Sequence, residues 1–123
     1  MIHHRTLIQS FKYAFAGILY ALKNNQNLRI HFAAAVVVVI LSVVFEVSHF
    51  EMGILGLMIL LVISAEMINT AIEHMVDLIT KEHREEAKIA KDVSAGMVLL
   101  TAAGSVIVGL LIFVPYIFKF FNK

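Results

Sequence analysis

The chain has 123 residues with ten basic side chains against nine acidic ones, and 60% of it is hydrophobic; its mean hydropathy is +0.88. A soluble domain carries roughly 45–50% apolar residues, so this composition excludes an ordinary aqueous domain and places the chain in a membrane. The small, nearly balanced charged fraction excludes a nucleic-acid footprint, and the lack of cysteine excludes disulfides, thiolate metal sites and thiol catalysis.

The first residues, MIHHRTLIQSFKYAF, lack the apolar core and small-residue cleavage site of a signal peptide, so the start is expected to be retained. In residues 5–23, Leu7, Phe11, Phe15, Ile18 and Leu22 recur at spacings of three and four while Gln9, Lys12 and Tyr13 fall off that stripe. This is the pattern of an amphipathic helix lying in the membrane interface. A hydrocarbon core needs about 20 mostly apolar helical residues, and three stretches supply them, at about 28–47, 52–77 and 92–118. Pro115, near the end of the third, is expected to bend or close it. The fold class is therefore an all-α membrane protein of one domain, 1–123, with three transmembrane helices and an N-terminal surface helix.

The connections orient it. EVSHFE, between the first two spans, holds no basic residue, whereas DLITKEHREEAKIAKD, between the last two, reads as a polar loop with Lys81, Arg84, Lys88 and Lys91. Arg5, Lys12 and Lys23 precede the first span and Arg29 stands at its start. An excess of Lys and Arg marks the cytoplasmic side, which puts the N-terminus and the second connection inside the cell membrane and the C-terminus outside.

The stretch AEMINTAIEHMVD ends the second span with three carboxylates and an asparagine. At about 100° per residue, and taking Glu66 as zero, Asn69 falls near −60°, Glu73 near −20° and Asp77 near +20°, so all four share one face. Glu66 stands about 10 Å deeper than Glu73, and Asp77 sits at the cytoplasmic boundary. A carboxylate inside a span costs about 2.5–3.5 kcal/mol on insertion scales and marks function by default. Past Arg29 at the start of the first span, no Lys or Arg inside a span neutralises these acids, so a divalent metal, a proton on Glu66 or Lys91 reaching across must relieve their repulsion. Asp92 is expected at or near the N-cap of the third span, where the helix start favours anions, and Lys91 beside it suits a phosphate. Histidines 3, 4, 49 and 83 show no metal spacing, and His74 points away from Glu66.

Carboxylates for Mg²⁺, a lysine for phosphate and a deeper carboxylate within the bilayer point to phosphoryl transfer from a soluble nucleotide to a membrane lipid hydroxyl. No GxxxxGK[ST] occurs, which excludes a P-loop kinase. A non-catalytic small trimer using the acidic stripe as a proton or cation path is the reading from another class; Lys91 has no use in it.

The spacing E-x-x-N-x-x-x-E-x-x-x-D at Glu66, Asn69, Glu73 and Asp77, followed by A-K-D at Ala90, Lys91 and Asp92, resembles the prokaryotic diacylglycerol kinase family of small integral membrane lipid kinases. The tracts NLRIH and KIAKD look more like its Gram-positive branch, which phosphorylates undecaprenol, than its diacylglycerol enzymes. The resemblance implies a homotrimeric bundle with composite active sites at the cytoplasmic face, ATP as co-substrate and Mg²⁺ as cofactor. It implies that Glu66 is the catalytic base, Glu73 a metal ligand and Asn69 a supporting residue, with Tyr13, Asn25, Glu73, Asp77, Lys91 and Asp92 on the nucleotide side. Arg29 and His31 also fit the family tract. One position departs: four residues before Arg29 the family usually has a glutamate that is a second metal ligand, and this chain has Asn25. An amide oxygen can ligate Mg²⁺ but brings no charge, so weaker metal affinity, or a natural or engineered loss of activity, is the expectation.

Overall fold

The computed structural model describes residues 6–123. Arg5, His3 and His4, and the first position of the expected surface helix, lie outside the described residues. The described chain folds into four helices, α1 (Leu7–Asn24), α2 (Gln26–Val44), α3 (His49–Ile79) and α4 (Glu85–Phe121), with no strand among the described residues. The last three are each long and apolar enough to cross a membrane.

Helix α1 opens on a capping box: the Thr6 hydroxyl accepts from the Gln9 N–H while the Gln9 side chain accepts from the Thr6 N–H. Two orphan donors of the first turn are thereby satisfied. It stops at Asn25, whose extended backbone (φ −122°, ψ 108°) breaks the helix. The Asn25 side chain then accepts from the Leu28 N–H to start α2, so one residue ends one helix and begins the next. Arg29 ties the joint, its guanidinium donating to the carbonyls of Leu22 and Lys23 at the open end of α1. These are carbonyls that a helix C-terminus leaves without intrahelical partners.

The connection from α2 to α3 is a Schellman turn: the Val47 N–H reaches the Ser42 carbonyl and the Glu46 N–H the Val43 carbonyl. Glu46 sits at φ 50°, in the left-handed region. Ser48 then caps α3 by accepting from the Glu51 N–H, and Tyr116 of α4 donates to the Glu51 carboxylate at 2.6 Å, closing this end of the bundle.

The second connection is shorter than its polarity suggests. Helix α3 continues to Ile79 and α4 begins at Glu85, leaving only residues 80–84 outside helix. Asp92 is therefore not an N-cap: it lies well inside α4, whose N-cap is Arg84 with no side-chain cap bond. Hydropathy marks where lipid begins, but helix formation depends on backbone bonding and propensity. EEAKIAK is built from strong helix formers, with Glu85 and Glu86 in the first turn complementing the helix dipole. Pro115 does not close α4 either, which runs through it to Phe121. Where neighbouring helices satisfy the freed carbonyl, a proline inside a membrane helix is tolerated.

Two tiers of packing hold α2, α3 and α4 together. At the Ser48 end, Val47, Leu55, Ile112 and Phe113 form an apolar cluster with Phe45 and Tyr116 packed on it. At the opposite end the interior is polar, with Glu66, Asn69 and Ser94 buried alongside the fully enclosed Leu28. Most other large apolar side chains face outward, Leu100 and Leu111 among them, as lipid or further protein copies require. Because the left-handed backbone at Glu46 disfavours any Cβ by about 1–2 kcal/mol and glycine is the usual residue at this turn position, Glu46→Gly is expected to stabilise the protein by about 1 kcal/mol. The check is the SDS-induced unfolding midpoint in mixed micelles, followed by circular dichroism.

Candidate functional site

The acidic face of α3 meets the Asn25 joint. Asn25 Nδ2 donates to Glu66 Oε1 at 2.9 Å and to the Thr70 hydroxyl at 2.7 Å. The Thr70 hydroxyl in turn donates to the Glu66 carbonyl. Glu66 retains only 2% of its surface, and its second oxygen, Oε2, lies 3.9 Å from His31 Nε2 of α2. The stripe read from angular spacing is thus one wall of a polar basin of about 300 Å³ whose lining includes Asn25, Glu66, Asn69, Thr70, Glu73 and His74.

Asn69 is held from both ends. Its oxygen accepts from the buried Ser94 hydroxyl of α4 at 2.6 Å, and its amide nitrogen donates to Glu73 Oε1 at 3.4 Å. Ser94 also donates to the Lys91 carbonyl, so the basin floor is linked to the turn of α4 that carries Lys91. Among the described residues no buried side-chain polar atom is left without a partner.

Toward the loop, Lys91 Nζ pairs with Asp77 Oδ1 at 2.7 Å, bridging α4 and α3. Lys88 pairs with Asp92 one turn along α4. Hydrogen bonding raises both ammonium groups above the ordinary lysine value, Lys91 through Asp77 and Lys88 through Asp92, so both stay charged. These residues border a larger open cavity of about 530 Å³, lined also by Thr80, His83 and Arg84. Beyond His31 the lining turns apolar. A crevice of about 80 Å³ runs between α2 and α3, lined by His31, Ala35, Val38, Met58 and Val62.

Glu66 therefore lines the polar basin, and His31, 3.9 Å from its Oε2, lines the apolar crevice. The fold brings Asn25, Glu66, Asn69 and Glu73 into one basin, while Asp77, Lys91 and Asp92 line the separate cavity at the loop. Tyr13 is on α1, half exposed, about 18 Å along the helix axis from Asn25. Thr70, Ser94 and His31 acquire roles that pattern reading did not assign them. Thr70 had a signal, being one turn from Glu66 and so on its face; Ser94 had none, because its partner lies on another helix.

As for a metal, no group of three or more His, Asp or Glu side chains gathers among the described residues. Mg²⁺ is commonly held by one or two carboxylates together with substrate phosphates and water, and Glu73 facing the basin fits that mode. Asn25, the expected second ligand, turns its amide nitrogen toward the carboxylate and its oxygen toward the start of α2.

Comparison with known proteins adds to this geometry. The family model described as prokaryotic diacylglycerol kinase matches residues 12–113. The undecaprenol kinase of Bacillus subtilis is 46% identical over 107 residues, 87% of each chain. A diacylglycerol kinase of Synechocystis is 41% identical over 110 residues, 89% of this chain and 63% of that protein. One from Haemophilus influenzae is 32% identical over 94 residues, 76% of this chain and 80% of that one.

The Ser94 to Asn69 bond is buried, and leaving a buried acceptor unpaired costs about 1–3 kcal/mol. Ser94→Ala is expected to lower the unfolding midpoint in mixed micelles by a corresponding amount, and a midpoint equal to wild type would show that this bond contributes nothing to holding α3 against α4.

Proposed function

Since the chain belongs to the prokaryotic diacylglycerol kinase family, we propose that this lipid kinase transfers the γ-phosphoryl group of ATP to the hydroxyl of a membrane lipid alcohol, with undecaprenol preferred over diacylglycerol. The observation that carries the reading is the position of Glu66, a nearly enclosed carboxylate that lines the polar basin and lies 3.9 Å from His31, a residue that lines the apolar crevice. A water-soluble donor and a lipid acceptor need polar and apolar linings this close together, because neither partitions into the other's solvent.

In this mechanism Glu66 accepts the proton of the lipid hydroxyl as that oxygen forms its bond to the γ-phosphorus and the bond to the ADP oxygen breaks. Glu73 faces the basin as the carboxylate for Mg²⁺, held toward it by Asn69. The ion supplies positive charge against the phosphate oxygens. Lys91, on its Asp77 tether, offers a cation to the nucleotide phosphates, and Asp92 and Tyr13 complete the nucleotide side. Asn69, anchored by Ser94, keeps the basin wall in register. A site of this kind depends on positioning and charge rather than covalent chemistry.

The assembly we propose is a homotrimer in the cell membrane, with the basic N-terminal residues and the active sites on the cytoplasmic face. Its support is the basic asymmetry of the connections and the outward apolar faces of the helices. The undecaprenol preference rests on the 46% identity to a protein of that activity. A cation path is disfavoured by the charged Lys91 standing beside the stripe.

Transfer of radiolabelled phosphate from ATP to undecaprenol and to diacylglycerol in mixed micelles tests the reading. Undecaprenol is expected to be the better acceptor. Glu66→Gln should lower kcat by about 100-fold or more, the scale of a lost general base. Lys91→Ala should raise the KM for ATP by about tenfold, as expected when one charge-assisted contact to phosphate is removed. No transfer to either lipid would overturn the proposal.

A further inference from the structure

Asn25 makes three directed hydrogen bonds, and together they fix which way its carboxamide faces. Oδ1 accepts from the Leu28 N–H, and Nδ2 donates to both Glu66 Oε1 and Thr70 Oγ1. The Thr70 proton is already committed to the Glu66 carbonyl, so that hydroxyl can only accept from Asn25. Turning the amide over would set its oxygen against a carboxylate oxygen and its NH₂ against a backbone N–H, leaving both contacts repulsive. The side chain's only oxygen is therefore held at the first turn of α2.

We infer that Asn25 is a positioning residue for Glu66 rather than a metal ligand: its carboxamide clamps Oε1 and leaves Oε2, on the His31 side, as the oxygen that meets the acceptor hydroxyl. The inference rests on the kinase reading for what Oε2 does, and on geometry alone for the clamp. A rigid carboxylate is what proton transfer needs, because an acceptor displaced by about 1 Å can lose about 100-fold in rate. The clamp also couples the site to the fold, since the atom pair that orients Glu66 belongs to the residue that ends α1 and starts α2. Oε2 lies 3.9 Å from His31 Nε2, and His31 lines the apolar crevice.

Asn25→Ser and Asn25→Asp both keep a side-chain acceptor for the Leu28 N–H, so the start of α2 is preserved, and both lose the donor to Glu66. Each is expected to lower kcat by about 10- to 100-fold while the KM for ATP stays close to the wild-type value. In Asn25→Ser the half-saturating Mg²⁺ concentration should likewise stay near wild type. A large rise in that concentration with kcat retained would make Asn25 a magnesium ligand and overturn the inference. A second measurement is independent of turnover: in protein selectively ¹⁵N-labelled at asparagine, the Asn25 side-chain amide resonances should move on Glu66→Gln and stay in place when Mg²⁺ alone is added. The reverse pattern also overturns the clamp. If the wild type transfers phosphate to no lipid, the kinase reading falls while the resonances still decide the clamp.

Discussion

The burial of one carboxylate governs the rest of this structure. Glu66 is removed from water in the interior of a three-helix packing, and a charged or polar group so placed is tolerated only with partners that replace its hydration. The partners come from two elements. Asn25 reaches it from the joint between α1 and α2, and His31 approaches from the first turns of α2. Fixing those two residues fixes where α1 must end and how α2 must lie against α3. Arg29 binding back onto the α1 carbonyls then secures the joint from the other side.

From that point the polar interior spreads in a definite direction. Asn69 and Thr70 extend it along α3, and Ser94 carries it across to α4. Lys91 and Asp77 end it at the loop. The opposite end of the same helices has an apolar cluster closed by the Tyr116 to Glu51 bond. The packing is thus asymmetric along the membrane normal. The end that holds the proposed site is secured by directed hydrogen bonds, and the far end by shape and the Tyr116 hydroxyl, which donates to Glu51 and accepts from the Ser48 N–H. This suits a lipid kinase, whose catalytic groups must keep fixed positions while donor and acceptor arrive from different solvents. A hydrogen-bonded wall keeps its orientation without needing to exclude water.

Much of this was legible in the residues because two periodicities are strict. Runs of about 20 apolar residues have one explanation in a membrane, and the 3.6-residue repeat places Glu66, Asn69, Glu73 and Asp77 on one face whatever they pack against. The resemblance to a lipid kinase family rested on that same spacing, and the match over residues 12–113 agrees with it. The ends of the helices were less legible. Asp92 looked like a cap because lipid-facing hydropathy starts after it, yet α4 starts at Glu85. The surface tract could form helix without being apolar, and composition measures only the second property. Pro115 does not end α4 for a related reason: one missing N–H does not by itself set a helix end, and proline is tolerated inside membrane helices.

The sequence by itself determined the class of molecule, the number of spans and the polar stripe, since each follows from periodicity and solvent preference within a single helix. Only the tertiary structure decided what the stripe faces. Asn25 could be read as a weak metal ligand from its position, but the direction of its amide depends on Glu66 and Thr70, whose places on α3 are set by how the helices pack. Ser94 gave no sign of its bond to Asn69, and His31 none of its distance from Glu66. Directed contacts between helices leave no period in the chain, because the partners are separated by however many residues the intervening turn and helix require.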